Sequence, residues 1–196
     1  NLGYHPGSVL VDGPMLFDLP HNKKWEPANY NDEYMGPVVL KKALAKSLNI
    51  ISAKLMFQVK PAGVIKTARK FGFTSPLREN FSLALGATGA SPLELASAYS
   101  TIANLGEHID PFYVSKIEDY QGNILFEHFI EGEKRFEPGD IYPLLDMMQG
   151  VMDDGSGRVI RRMGFKHPAA GKTGTTNAFR DAWFTGFTKD LTTSVW

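Results

Sequence analysis

The residues best suited to chemistry gather in Ala169-Ala170-Gly171-Lys172-Thr173-Gly174-Thr175-Thr176, where a lysine stands between small and β-branched residues with a glycine on either side. As a strand, this stretch sends Lys172 and Gly174 to one face and Thr173 and Thr175 to the other. Gly174 leaves a gap where another group can approach the backbone, beside a fixed positive charge. Such a strand suits an anionic, peptide-like ligand. It also reads as an edge strand guarded by its lysine against aggregation. Gly171-Lys172-Thr173 matches the end of a phosphate-binding loop, but that pattern needs glycine where Lys166 stands. Such a loop also opens a helix, and Gly174-Thr175-Thr176-Asn177 is a poor helix start.

A second candidate is Ser47-Leu48-Asn49. Val39, Leu40, Ala43 and Leu44 recur at helical spacing behind Pro37, which suits a first helical turn. Ile50, Ile51, Leu55 and Val59 form another apolar set. Serine and asparagine favour helix ends over interiors, so a break near Ser47 is expected, with a new helix from about Asn49. In a non-helical turn the Ser47 and Asn49 side chains, two apart, can point the same way. On these residues alone, the simpler expectation is that Asn49 caps the second helix.

The elements that must hold these residues follow from the rest of the chain. Residues 1–36 are rich in Gly, Pro, Asn and Asp and read as mostly surface loop, with a short strand at Val9-Leu10-Val11 and Trp25 and Tyr30 as aromatic anchors. Residues 37–163 read as mainly helical. Pro61 to Lys70 is a helix followed by Gly72, and Ser82 to Ala90 is a small-residue stretch packed beneath a helix. Ser91-Pro92-Leu93-Glu94 carries a capping box, with Leu95, Ala98, Tyr99 and Ile102 as the buried stripe. A hairpin is expected near 113–128, around Gln121-Gly122-Asn123. Asp140 to Met152 and Arg158 to Met163 read as further helices, and Asp154-Gly155-Ser156-Gly157 as a turn. Residues 164–196 end in three strand-like runs separated by polar turns, an antiparallel meander.

Composition removes several function classes. The formal net charge is zero, so no nucleic-acid footprint is evident. Cysteine is absent and the five histidines are scattered, so neither a metal site nor a cofactor is expected. No apolar run is long enough to span a membrane.

Ser47-Leu48-Asn49 upstream of Lys172-Thr173-Gly174-Thr175 resembles the second and third signature motifs of the penicillin-binding transpeptidases. The words Ala43-Leu-Ala-Lys-Ser-Leu-Asn-Ile50, Ser82-Leu-Ala-Leu-Gly86, Ser91-Pro-Leu-Glu-Leu-Ala96 and Arg180-Asp-Ala-Trp-Phe184 are similar to the bifunctional class A members, from about Asp12 to Trp196. The resemblance implies an α+β fold shared with serine β-lactamases: an antiparallel sheet with helices on both sides, incomplete in this chain. It implies a D,D-transpeptidase that cross-links D-Ala-D-Ala stem peptides of peptidoglycan and binds β-lactam antibiotics. It further implies an extracytoplasmic location, with the parent protein anchored in the cell membrane and carrying a glycosyltransferase domain.

By the same resemblance, Ser47 relays a proton to the leaving amine, Lys172 holds Ser47, and Asn49 binds the substrate backbone. Thr173, Gly174 and Thr175 form the substrate strand: the two hydroxyls receive the terminal carboxylate, and the Thr175 N–H is an oxyanion donor. One departure stands out. The family's Ser-x-x-Lys motif carries the nucleophile and precedes Ser-x-Asn, yet Ser8 is followed three residues later by Val11. The expectation is a fragment that needs the nucleophile-bearing segment of its parent and is inactive alone. A β-lactamase-like serine hydrolase and a non-catalytic penicillin-binding-like module are the alternatives.

Overall fold

The computed structural model describes residues 2–19, 22–176 and 181–196, so His21, Asn177 and Arg180 lie outside the described residues. The chain forms β1 (Val9–Asp12), β2 (Phe17–Leu19), β3 (Lys23–Trp25), β4 (Gly36–Val39), α1 (Leu40–Lys46), α2 (Asn49–Val59) and α3 (Pro61–Lys70). After a 3-10 turn at Phe81–Leu85 come α4 (Pro92–Ala103), β5 (Glu107–His108), β6 (Lys116–Glu118), β7 (Ile124–Glu127) and β8 (Glu133–Lys134). The chain continues with α5 (Pro138–Asp153), α6 (Val159–Arg162), β9 (Ala170–Thr175), β10 (Ala182–Phe187) and β11 (Thr192–Val195). It is an α+β fold.

The meander is present. β9, β10 and β11 form an antiparallel sheet in the order β11-β10-β9, so β9 is an edge strand. Cross-strand partners share a face, and Lys172 pairs with Thr185, Thr173 with Phe184, Gly174 with Trp183 and Thr175 with Ala182. Helix α5 packs on β9, and α4 on β10 and β11. Between them Ile102, Ile141, Met148, Ala170 and Phe187 form one buried cluster. Gly171 and Gly186 are required on the opposite face: a Cβ at either would come within 2.9 Å of the Phe184 ring.

A second cluster, Val38, Leu40, Ala43, Leu48 and Ile51, joins α1 and α2 to the β1–β4 pair. Here two expectations change. Pro37 lies in β4 opposite Val11, not in a helix. In a two-stranded pair, proline can turn its missing N–H outward. The helix begins three residues later, where the Leu40 and Lys41 N–H groups donate to Ser8 O and Pro6 O, both at 2.9 Å. The segment expected as loop also holds the β2–β3 hairpin. These strands are three residues long, too short to show a period. Their support comes from outside, as Phe17 stacks on Phe57 and Phe57 on Phe81, with centroids 4.1 Å apart in each case.

The Ser91 capping box is formed: Ser91 Oγ accepts the Glu94 N–H at 3.2 Å, and Glu94 accepts the Ser91 N–H at 3.0 Å. The β6–β7 hairpin has a register shift at Ile117/Glu118, where the Asp119 carboxylate accepts the Gln121 and Asn123 N–H groups and organises the turn.

Candidate active site

The break at Ser47 is a helix stop built on a non-glycine residue. Ser47 adopts the left-handed conformation, φ 58 and ψ 46. Its N–H donates to Leu44 O at 3.1 Å, and the Leu48 N–H donates to Ala43 O at 3.0 Å. This is the bond pattern of a Schellman stop, where glycine is the usual occupant. A residue with a Cβ is strained there, and such strain gathers at functional sites. Leu48 then runs extended, and Asn49 opens α2.

The turn sends the Ser47 side chain across to β9. Lys172 Nζ donates to Ser47 Oγ at 2.8 Å and to Thr173 O at 3.0 Å, and stands 3.5 Å from Thr173 Oγ1. Lys172 is half-buried, with no carboxylate partner within ion-pair distance among the described residues. Burial disfavours its ammonium and lowers its pKa to about 8.

Asn49 does not cap α2. Its Nδ2 donates to Ala28 O at 2.8 Å, leaving Oδ1 as an acceptor. The capping position is Leu48, which has no side chain able to accept. Asn29 substitutes from a distant loop: its Oδ1 takes the Ile50 N–H at 3.4 Å. Asn29 is itself held by Asp12, a buried carboxylate whose two oxygens each lie 3.0 Å from Asn29 Nδ2, with the Met35 N–H at 2.9 Å. The loop before β4 is thereby fastened to the start of α2. Buried polar groups need such partners, but the pairing spans 17 residues and was not read from the sequence.

On β9, Thr173 Oγ1 lies 2.6 Å from Ser156 Oγ. Thr175 is exposed at the strand end. A Cβ on Gly174 would meet Trp183 Cβ at 3.1 Å, so glycine there accommodates Trp183 as well as leaving the backbone open. Ser47, Lys172 and Thr173 are thus in direct hydrogen-bond contact; Asn49 flanks Ser47, and Gly174 and Thr175 continue the strand. Ser156 was read only as part of a turn. The one sequence signal for it was a serine between two glycines, Gly155-Ser156-Gly157.

The helix stop that aims a serine at a strand lysine, beside an antiparallel sheet with packed helices, is set in a transpeptidase type of α+β fold. The sequence pattern of the penicillin-binding protein transpeptidase domain matches residues 15–196, and the chain belongs to that family. It is 37% identical over 180 residues to penicillin-binding protein 1A of Aquifex aeolicus, covering 92% of this chain and 24% of that protein. It is 32% identical to penicillin-binding protein 1A of Pseudomonas aeruginosa, over 99% of this chain and 30% of that protein. The crystal structure of penicillin-binding protein 1A from Haemophilus influenzae superposes with a TM-score of 0.92 at 26% identity, covering 98% of this chain and 34% of the other. Penicillin-binding protein PonA1 from Mycobacterium tuberculosis gives 0.84 at 25% identity, covering 99% and 55%. The chain therefore spans about a quarter to a third of the curated relatives it matches.

Proposed function

We propose that this chain forms part of the catalytic domain of a peptidoglycan D,D-transpeptidase. The observation that carries the reading is the 2.8 Å bond from Lys172 Nζ to Ser47 Oγ. A hydroxyl that accepts from an ammonium keeps its own proton to donate, so Ser47 can pass that proton to the departing D-Ala amine while Lys172 replaces it. Lys172 supplies positive charge where negative charge develops. Asn49, with its Oδ1 open, binds the donor peptide backbone. Thr173 and Thr175 receive the terminal carboxylate, Gly174 lets the peptide lie along β9, and the Thr175 N–H helps bind the oxyanion.

Covalent catalysis needs a nucleophile. Ser8 is the only serine before Ser47 and lacks the Ser-x-x-Lys spacing, so we assign the nucleophile to another part of the longer protein. Its substrates are stem peptides and its inhibitors β-lactams, and no cofactor takes part. The domain acts outside the cytoplasm. Among the described residues no helix is long and apolar enough to cross a membrane, and we assign the anchor and the glycosyltransferase domain to the rest of the parent.

Intact-mass analysis of the full-length protein after exposure to a fluorescent penicillin tests this reading. One long-lived adduct is expected, mapping to a Ser-x-x-Lys serine outside these 196 residues; the chain alone forms none. An adduct inside the chain, or none on the full-length protein, overturns the assignment. Rapid turnover of the adduct by water favours a hydrolase instead.

A further inference from the structure

We propose that Ser156 is a positioning residue: its hydroxyl orients the Thr173 hydroxyl toward the carboxylate of a bound stem peptide or penicillin. The inference rests on the transpeptidase reading of the site and adds a residue to it.

Ser156 lies in the turn after α5 and is bonded on two sides. Its N–H donates to Ala45 O at 2.9 Å, in the last turn of the helix that stops at Ser47. The neighbouring Asp154 O accepts from Lys46 Nζ at 2.7 Å. A Cβ on Gly155 would stand 2.3 Å from Ala45 O, so glycine there permits the turn to seat against α1. On its other side, Ser156 Oγ meets Thr173 Oγ1 at 2.6 Å. One residue therefore bridges the helix that presents Ser47 and the strand that carries Lys172.

The chemistry follows from the single proton on each hydroxyl. When Ser156 donates, Thr173 Oγ1 accepts, and the Thr173 proton is free for an anion in the cleft. In the opposite sense Thr173 spends its proton on Ser156 and turns lone pairs toward the ligand. A carboxylate selects the first arrangement, and Ser156 lets the switch occur without losing a hydrogen bond. Without the Ser156 hydroxyl, Thr173 Oγ1 loses its 2.6 Å partner and the rotor setting that goes with it, and keeps only the longer 3.5 Å contact with Lys172. The effect falls on affinity for the carboxylate, because bond formation takes place elsewhere.

The test uses the full-length protein with benzylpenicillin and its methyl ester, which masks the carboxylate. Acylation rates over a range of ligand concentration separate affinity from the covalent step. Ser156→Ala keeps the backbone bond to Ala45, and its thermal midpoint is compared with wild type. The preference for acid over ester is expected to fall about tenfold, the loss of one hydrogen bond that serves a charged group. The change should lie in affinity, and Ser156→Thr should restore it. Equal losses with acid and ester, a loss confined to the covalent step, or no rescue by threonine would overturn the proposal. If wild type prefers the acid and Ser156→Ala keeps that preference, Ser156 alone is misassigned. If wild type and Thr173→Val fail to distinguish acid from ester, the carboxylate role of Thr173 fails, and the proposal falls with it.

Discussion

Lys172 Nζ and Ser47 Oγ are 2.8 Å apart although 125 positions separate them in the chain. The contact joins a strained helix stop to an edge strand, and neither element alone has a use for the other's side chain. Replacing Lys172 with alanine removes the donor and the charge together. In the full-length protein, acylation by penicillin is expected to fall by about 10²–10³, the range for losing one preorganised electrostatic group. The thermal midpoint should not fall, since Lys172 makes no ion pair among the described residues that the substitution would break and its desolvated ammonium costs stability. Wild-type acylation in Lys172→Ala would remove Lys172 from the mechanism.

The same lysine predicts a pH dependence. Burial brings its pKa from 10.5 down to about 8. Below about 8 the folded protein carries a partly desolvated ammonium, which costs stability. Between about 8 and 10.5 the folded state gives up the proton before the unfolded chain does, so this group's contribution to stability rises with pH. Under the proposed function, activity should move the opposite way, because the positive charge that holds Ser47 is lost. Acylation rate against pH should show an alkaline limb near 8 that Lys172→Arg moves to higher pH. A flat profile across that range would contradict the role of the charge.

Ser91→Ala should destabilise the protein by about 1 kcal/mol through loss of the α4 cap, read as a shift in urea midpoint. It should leave acylation chemistry unaffected. Loss of acylation at unchanged stability would place Ser91 in the site instead.

Glu94 accepts the Ser91 N–H and also bonds Ser75 and Thr74, which holds its carboxyl well below the usual range despite partial desolvation. Its stabilising contribution is complete above the ordinary value of 4.5 and declines as pH falls below it. Glu94→Gln should therefore weaken the acid dependence of the urea midpoint, and an identical acid limb in the two proteins would refute this.

Asp12→Ala removes a buried acceptor from Asn29 Nδ2 and the Met35 N–H. Leaving such donors unsatisfied costs about 1–3 kcal/mol. Hydrogen exchange should quicken at Ile50, whose N–H depends on Asn29 for an acceptor. Unaltered protection at Ile50 would show that the Asp12–Asn29 pair does not support the start of α2.

Much of the local structure was legible from the sequence, and for local reasons. The α4 cap needs only Ser91 and Glu94, three residues apart. The stop at Ser47 follows from serine and asparagine falling between two apolar sets. The β9–β11 meander follows from Thr-, Val- and aromatic-rich runs between polar turns, and the paired motifs around Ser47 and Lys172 marked the family. Tertiary structure decided what local preference could not. Pro37 suits a helix start but pairs with Val11, because the Ser8 and Pro6 carbonyls meet the first helical N–H groups at Leu40 and Lys41. β2 and β3 exist through pairing and the Phe17–Phe57 stack, not through any period of their own. Asn49 looked like a cap and bonds Ala28 instead, while Asn29 meets the N–H of Ile50. The contacts of Ser156 with Ala45 and Thr173 were invisible for the same reason. Propensity and periodicity register neighbours within a few residues. A hydrogen bond that closes a loop of tens of residues depends on the packing of everything between.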